Sequence, residues 1–378
     1  MRPAFEVVAT DQSARAGVLR LRSGTVRTPV FMPVATRGMV RLVPPATLGE
    51  LGAELVLANT YHLALRPGVE VIEALGGVAR FSGIHGPMLT DSGGFQVMSL
   101  GARVDDDGVS FRSTYDGQLV RFEPESVVEL QERFRVDVAM VLDVCTTLPA
   151  PRSAVEEAMR RTSAWARRAK RAHRDHEQAL FGIVQGGIDT DLRRAHASDL
   201  VTLDFDGYAV GGLAVGEEAS ATLEAVAAAL EELPRDRPRY LMGVGDPYLV
   251  AHAVALGVDM VDCVAPTRLA RHGIALTDGG RLALRAARFR RDEEPIESGC
   301  DCATCRRVPR ALVSHLLRVD APSAGALLSV HNLAFQLRFL GRLRRAIQGG
   351  ELARVVREVS EVWGPGWRAP TNAALRER

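Results

Sequence analysis

Three thiols fall within six residues at Cys300, Cys302 and Cys305. A C-x-C-x2-C spacing suits thiolate binding of tetrahedral zinc, which needs one further ligand. His315 and His331 compete for that position. His315 lies within ALVSHLLRV, where a helical histidine is usually a packing or surface residue. His331 opens the next helix, a segment start from which a ligand can be aimed, and is favoured. A Cys3His ion has no open position for water, so one Zn2+ per chain would be structural. A second constellation is spread along the chain. Asp91, Asp143, Gln185, Gly212 and Asp262 each stand at or near the C-terminal end of a separate apolar run. A β/α barrel gathers its reactive groups on that face.

The runs that must position these groups are VFMPVAT (30–36), LVLANTYH (55–62), PMLTDS (87–92), VDVAMVLD (136–143), ALFGIVQG (179–186), GYAVGGL (207–213), RYLMGVG (239–245) and MVDCVAP (260–266). Most are followed by helical composition, the rhythm of βα units. Eight of them, with polar groups converging at their ends, predict an α/β fold of the (β/α)8 TIM-barrel type in preference to a doubly wound sheet. Asp107-Gly108 and Asp116-Gly117 between alternating apolar residues predict an inserted β-hairpin. EVVAT and GVLRLRSGTVRTP read as antiparallel strands closing the lower end of the barrel. A zinc-binding subdomain is expected at about 290–345, within a single catalytic domain spanning 1–378.

Composition narrows the class. The 378 residues are 47% hydrophobic and 25% charged, which excludes disorder, collagen and a disulfide miniature. A formal net charge of +1 means that any nucleic acid must be held by a local basic patch. The N-terminus has no apolar core of signal-peptide length, and no run of about 18 apolar residues predicts a membrane span. With five cysteines too few for a disulfide scaffold and three of them clustered for metal ligation, this makes a cytoplasmic location the expectation.

TDSGGFQVMSL (90–100), GIVQGG (182–187), GGLAVGE (211–217), YLMGVGDP (240–247), VDMVDCVAPTR (258–268) and the cysteine cluster with His331 resemble the bacterial tRNA-guanine transglycosylases, over about residues 28–345. The resemblance implies exchange of guanine at the wobble position (34) of tRNAs with GUN anticodons for a 7-deazaguanine, through a covalent ribosyl-aspartate intermediate. It also implies a homodimer, in which one chain helps to hold the tRNA bound at the other.

Base exchange at C1′ needs a nucleophile that also steadies cationic sugar, and a carboxylate serves both ends. Asp262 matches the family's nucleophile and Asp91 its general acid/base. Ser92, Gly93 and Gly94 would let the backbone approach a flat ligand, with Phe95 against the base. A guanine edge presents N–H donors and a carbonyl acceptor, so Asp143 would accept while Gln185 and the Gly212 N–H donate; Leu213 lines the pocket and Met242 packs under the ring. A base reaches such a pocket most cheaply from a single-stranded loop such as an anticodon loop. By resemblance, Gly243, Val244, Gly245, Asp246, Pro247, Tyr248 and Leu249, and then Thr267, Arg268, Leu269, Ala270 and Arg271, contact the RNA.

Val144 stands where the family commonly carries an acidic residue beside the part of the pocket that receives the C7 substituent, and Leu269 and His272 replace more usual polar residues. Cys145 and Glu217 are kept; in the family the latter helps to read an aminomethyl group. 7-Aminomethyl-7-deazaguanine (preQ1) is therefore the expected incoming base, with queuine the alternative. A non-catalytic tRNA-binding accessory subunit should lack Asp262 and Asp91. A metal-dependent hydrolase would need histidines at strand ends, and only isolated ones such as His62 occur. An archaeal-type transglycosylase would ordinarily carry extra C-terminal modules.

Overall fold

The computed structural model describes residues 2–99 and 101–364, with the side chains of 97–99 left aside. Leu100, the last residue of the 90–100 motif, and 365–378, the end of the expected domain, lie outside the described residues. Strands β1 (Ala4–Asp11), β2 (Ala14–Leu21) and β3 (Gly24–Thr28) form an antiparallel sheet. The eight expected runs follow as one parallel sheet. The first is divided into β4 (Val30–Met32) and β5 (Val34–Ala35), because Pro33 has no N–H to give the ladder. Its carbonyl still accepts from Leu57 N at 3.0 Å. β6 (Val56–Asn59) and β7 (Met88–Asp91) come next.

After β7 the chain leaves the barrel for β8 (Arg103–Val104), β9 (Val109–Arg112) and β10 (Leu119–Phe122). The expected hairpin is thus a three-stranded sheet, ordered β10-β9-β8. The third strand has two residues, too short for alternation to reveal. The insert has its own core, in which Val109, Phe111 and Phe122 pack with Tyr61, Leu142, Val144 and Trp165.

The barrel resumes with β11 (Val138–Met140), β12 (Ala179–Val184), β13 (Gly207–Val210), β14 (Arg239–Leu241) and β15 (Met260–Asp262). β15 pairs with β4 and β5 with β6, so the sheet nearly closes on itself through the divided first run. β12 is buried along its whole length, as expected for a strand covered on both faces. In register, Asn59 lies beside Asp91 and Asp262 beside Met32, which brings the polar strand ends to one rim.

The N-terminal sheet seals the opposite end. Buried Arg15 grips Asp259, just before β15, with Nε–Oδ1 of 3.0 Å, and Asp259 also accepts from Arg239 N at 2.7 Å. Asp137, just before β11, accepts from Ser23 N and Met88 N, both at 2.9 Å.

The cysteine-bearing layer starts earlier than 290. Its small core joins Ala275, from the hairpin β16 (Ile274–Thr277) and β17 (Gly280–Ala283), and Leu284 just after it, to Phe289, Val313 and Leu328. Its backbone is the 28-residue helix Ala321–Gln348, started by an Asp320 cap and a proline in the first turn. Among the described residues no helix is long and apolar enough to cross a membrane.

Candidate active site and metal centre

At the end of β7, Asp91 accepts from Asn59 Nδ2 at 2.7 Å, Thr60 N at 3.2 Å and Gly93 N at 3.0 Å. Burial pushes its carboxyl up to about 7, against those hydrogen bonds, and the charge of Asp262 adds to the rise. A carboxyl poised near neutrality can give a proton and take one back.

Asp262, at the end of β15, is held differently. Tyr240 donates its hydroxyl at 2.5 Å and Gly243 its N–H at 2.7 Å, both to Oδ1. Burial raises Asp262, and the two donors oppose that rise. The Tyr240 phenol is itself pushed well above its ordinary value by burial and by Asp262, so it remains a donor. Both donors hold Oδ1, which leaves Oδ2 the less engaged oxygen.

Asp143 takes the Gln185 side-chain N–H at 2.6 Å and the Ser92 hydroxyl at 3.2 Å. Burial pushes it up to about 6, against both bonds. Two glycines make this geometry attainable. A Cβ on Gly94 would stand 2.9 Å from Asp143 Oδ1. A Cβ on Gly212, whose φ is +67°, would stand 2.5 Å from Gln185 Oε1. Leu213 is buried, Met242 is half-buried against the core, and Phe95 is 53% exposed on the helix Gly94–Ser99.

Several supporting groups were not singled out from the sequence. Asn59 has the same signal as Asp91, a polar residue ending an apolar run. Tyr240 sits inside its run and gives none. Buried Arg193 donates to the Gly187 carbonyl at 2.8 Å and the Val184 carbonyl at 2.9 Å, pinning the turn that carries Gln185. His196 Nδ1 accepts from Gln185 N at 2.7 Å.

The two expected RNA segments divide. In 243–249 only Gly243 is exposed, and its N–H serves Asp262. Val244, Gly245 and Pro247 are buried, while Tyr248 and Leu249 pack on the main core. Asp246 caps the helix Pro247–Leu256 through Leu249 N at 3.2 Å. Because the helix starts directly behind the strand, this segment turns inward and aims the Asp262 carboxylate.

In the helix Ala265–Arg271, Thr267, Leu269 and Ala270 are buried, which leaves Arg268 and Arg271 as the side chains at the rim. Burial lowers Arg271, and the nearby charges of Arg41 and Arg268 lower it further. Val144 is buried. Its side chain packs into the insert core, and its N–H donates to Thr162 Oγ1 at 3.0 Å.

The metal ligand set assembles as expected, for a different reason. Cys300, Cys302, Cys305 and His331 are all buried, with ligand atoms within 4.8 Å of one another. His331 lies inside the helix Ala321–Gln348 and not at its start, while His315 is exposed. His331 Nε2 donates to the Leu276 carbonyl at 2.8 Å, which turns the Nδ1 lone pair toward the thiols. Three thiols and one imidazole facing inward fit a tetrahedral metal ion of the zinc type.

A family model described as Queuine tRNA-ribosyltransferase matches residues 11–365. Queuine tRNA-ribosyltransferase of Thermotoga maritima is 47% identical over 363 residues, 96% of this chain and 98% of that protein. The protein of the same name from one strain of Thermus thermophilus is 48% identical over 356 residues, 94% of this chain and 92% of its own length. That of Gloeobacter violaceus is 49% identical over 357 residues, 93% and 94% of the two chains. Similarity at this level, along nearly the whole of each chain, places this chain in the queuine tRNA-ribosyltransferase family of pentosyl-transferring enzymes.

Proposed function

We propose that this chain is a tRNA-guanine transglycosylase, replacing guanine at the wobble position of tRNAs with GUN anticodons by preQ1. The observation that carries the reading is the pair of carboxylates, Asp262 with one oxygen fixed by two donors and Asp91 pushed up to about 7 by burial. Asp262 attacks C1′, the C1′–N9 bond breaks, and protonated Asp91 gives its proton to the departing guanine. In the second step ionised Asp91 takes a proton from N9 of the incoming base, N9 attacks C1′, and the ester bond to Asp262 breaks.

Asp143, Gln185 and Gly212 read the guanine-like edge, with Leu213, Met242 and Phe95 around the ring and Ser92, Gly93 and Gly94 beneath it. The Asp143–Gln185 bond keeps these groups aligned until a base replaces it. Glu217 accepts from Ala214 N and from Val215 N, the latter at 3.0 Å, which leaves the Leu213 carbonyl pointing away from Glu217 as an acceptor for an ammonium group. This supports preQ1.

One Zn2+ on Cys300, Cys302, Cys305 and His331 holds the C-terminal layer against the barrel, in a single catalytic domain. The anticodon loop lies across the rim with Arg268 and Arg271 on its backbone, and two copies of the chain act as a homodimer. Release of labelled guanine from a tRNA anticodon stem-loop tests the reading, with preQ1 and queuine in competition. Exchange favouring preQ1 is expected. Exchange favouring queuine overturns the choice of base, and no exchange overturns the activity.

A further inference from the structure

The insert places one aromatic side chain at the rim among charges that the two-step chemistry does not use. Tyr115, in the turn between β9 and β10, is half-exposed. The Arg66 guanidinium lies 4.9 Å from its ring centroid and that of Arg37 5.5 Å. Both arginines are exposed, and neither makes an ion pair among the described residues, although the Asp116 carboxylate feels Arg66. The ring is fixed from behind, since its hydroxyl shares a hydrogen bond of 2.9 Å with His62 Nδ1. His62 N in turn donates to Asn59 Oδ1 at 3.0 Å, and Asn59 Nδ2 to Asp91 at 2.7 Å. A tyrosine is thus tied to the proposed acid/base through the ring and backbone N–H of His62 and the side chain of Asn59.

Arg37 shares its loop with Arg41, whose charge is felt by Arg271. The two groups of cations are therefore linked through one loop, with the Tyr115 ring against Arg37 and Arg66. Arginine beside tyrosine suits single-stranded RNA, because a base stacks on the ring while guanidinium groups hold the phosphates on either side.

We propose that Tyr115, Arg66 and Arg37 form a binding site for the nucleotide next to the exchanged one, with its base stacked on Tyr115 and its phosphates on the two arginines. This rests on the transglycosylase reading and extends it to a surface supplied by the insert. Stacking next to the exchanged position would hold the flanking backbone while the reacting base leaves its stack.

The test uses the full chain and an anticodon stem-loop, with binding followed by fluorescence anisotropy across a salt series. Tyr115→Ala should weaken binding roughly tenfold, within the range for loss of one base–aromatic stack. Tyr115→Phe should recover most of that loss. Removing the flanking base from the RNA should abolish the difference between wild type and Tyr115→Ala. Arg66→Ala should flatten the salt dependence by about the 0.7 expected for one single-strand phosphate.

Melting curves separate lost stacking from lost folding. Binding by Tyr115→Ala within twofold of wild type overturns the proposal, as does an equal loss in Tyr115→Phe. If wild-type protein neither binds the stem-loop nor releases guanine from it, the transglycosylase reading fails and takes this site with it. Wild-type exchange with unaffected variants removes this site alone.

Discussion

The metal centre and the barrel mouth are both made of buried groups that bind or move charge, yet they are built on opposite principles. The centre draws three ligands from six residues, and its fourth is locked by a carbonyl behind it. The mouth draws Asn59, Asp91, Asp143, Gln185, Gly212 and Asp262 from the ends of separate strands, and Tyr240 from within another. Its polar groups satisfy one another. At the centre, burial serves a closed ligand set. At the mouth it leaves Asp91 and Asp143 pushed up to about 7 and about 6, in reach of protonation at working pH. On the proposed reading, fixed geometry stabilises the fold, whereas raised carboxyl values serve chemistry.

That contrast can be broken from either side. Cys302→Ser should release the metal and destabilise the protein by about 5 kcal/mol or more, since a structural metal contributes its binding energy to folding. Metal analysis with thermal melting checks it, and a metal-free variant that melts like wild type would remove the structural role. Asp262→Asn should lower guanine exchange by roughly 10³-fold or more, as for loss of a catalytic nucleophile, while zinc content and melting temperature stay close to wild type.

Arg15→Ala probes the sealed end of the barrel. It leaves Asp259 buried without its cation and should cost about 3 kcal/mol in denaturant unfolding, with kcat affected far less than stability. The smallest effect concerns Asp91. Its folded value of about 7 lies above the ordinary carboxyl value of 3.8, so the folded state binds the proton more tightly. The stability cost of ionising it is absent below about pH 4 and complete above about pH 7. Asp91→Asn should therefore stabilise the protein by about 1–2 kcal/mol at pH 8 and by little at pH 4, while exchange is lost. A gain that grows as pH falls would contradict the assignment.

The same contrast explains what could be read from residues alone. The thiols and the strand-end carboxylates were visible because spacing and position along apolar runs carry the signal. Asn59 obeyed the same rule, but its neutral side chain drew no attention beside the acids. Tyr240 was hidden because its ring belongs to the core and only its hydroxyl reaches the mouth. Arg193 acts from a helix through buried carbonyls, a contact that periodicity does not encode. His331 was selected by a helix start that lies elsewhere; Asp320 followed by a proline in the first turn was the readable cap. The 243–249 and 267–271 segments read as RNA-contacting by resemblance alone, and residue spacing does not show that the helices begin at once and carry most of their side chains inward.

The most direct test of the central claim is to incubate the enzyme with an anticodon stem-loop, quench it under denaturing conditions, and locate the RNA-linked peptide by mass spectrometry. The ribosyl ester should map to Asp262 in wild type and be absent from Asp262→Asn. An adduct that persists in the variant, or that maps to another residue, would contradict the account.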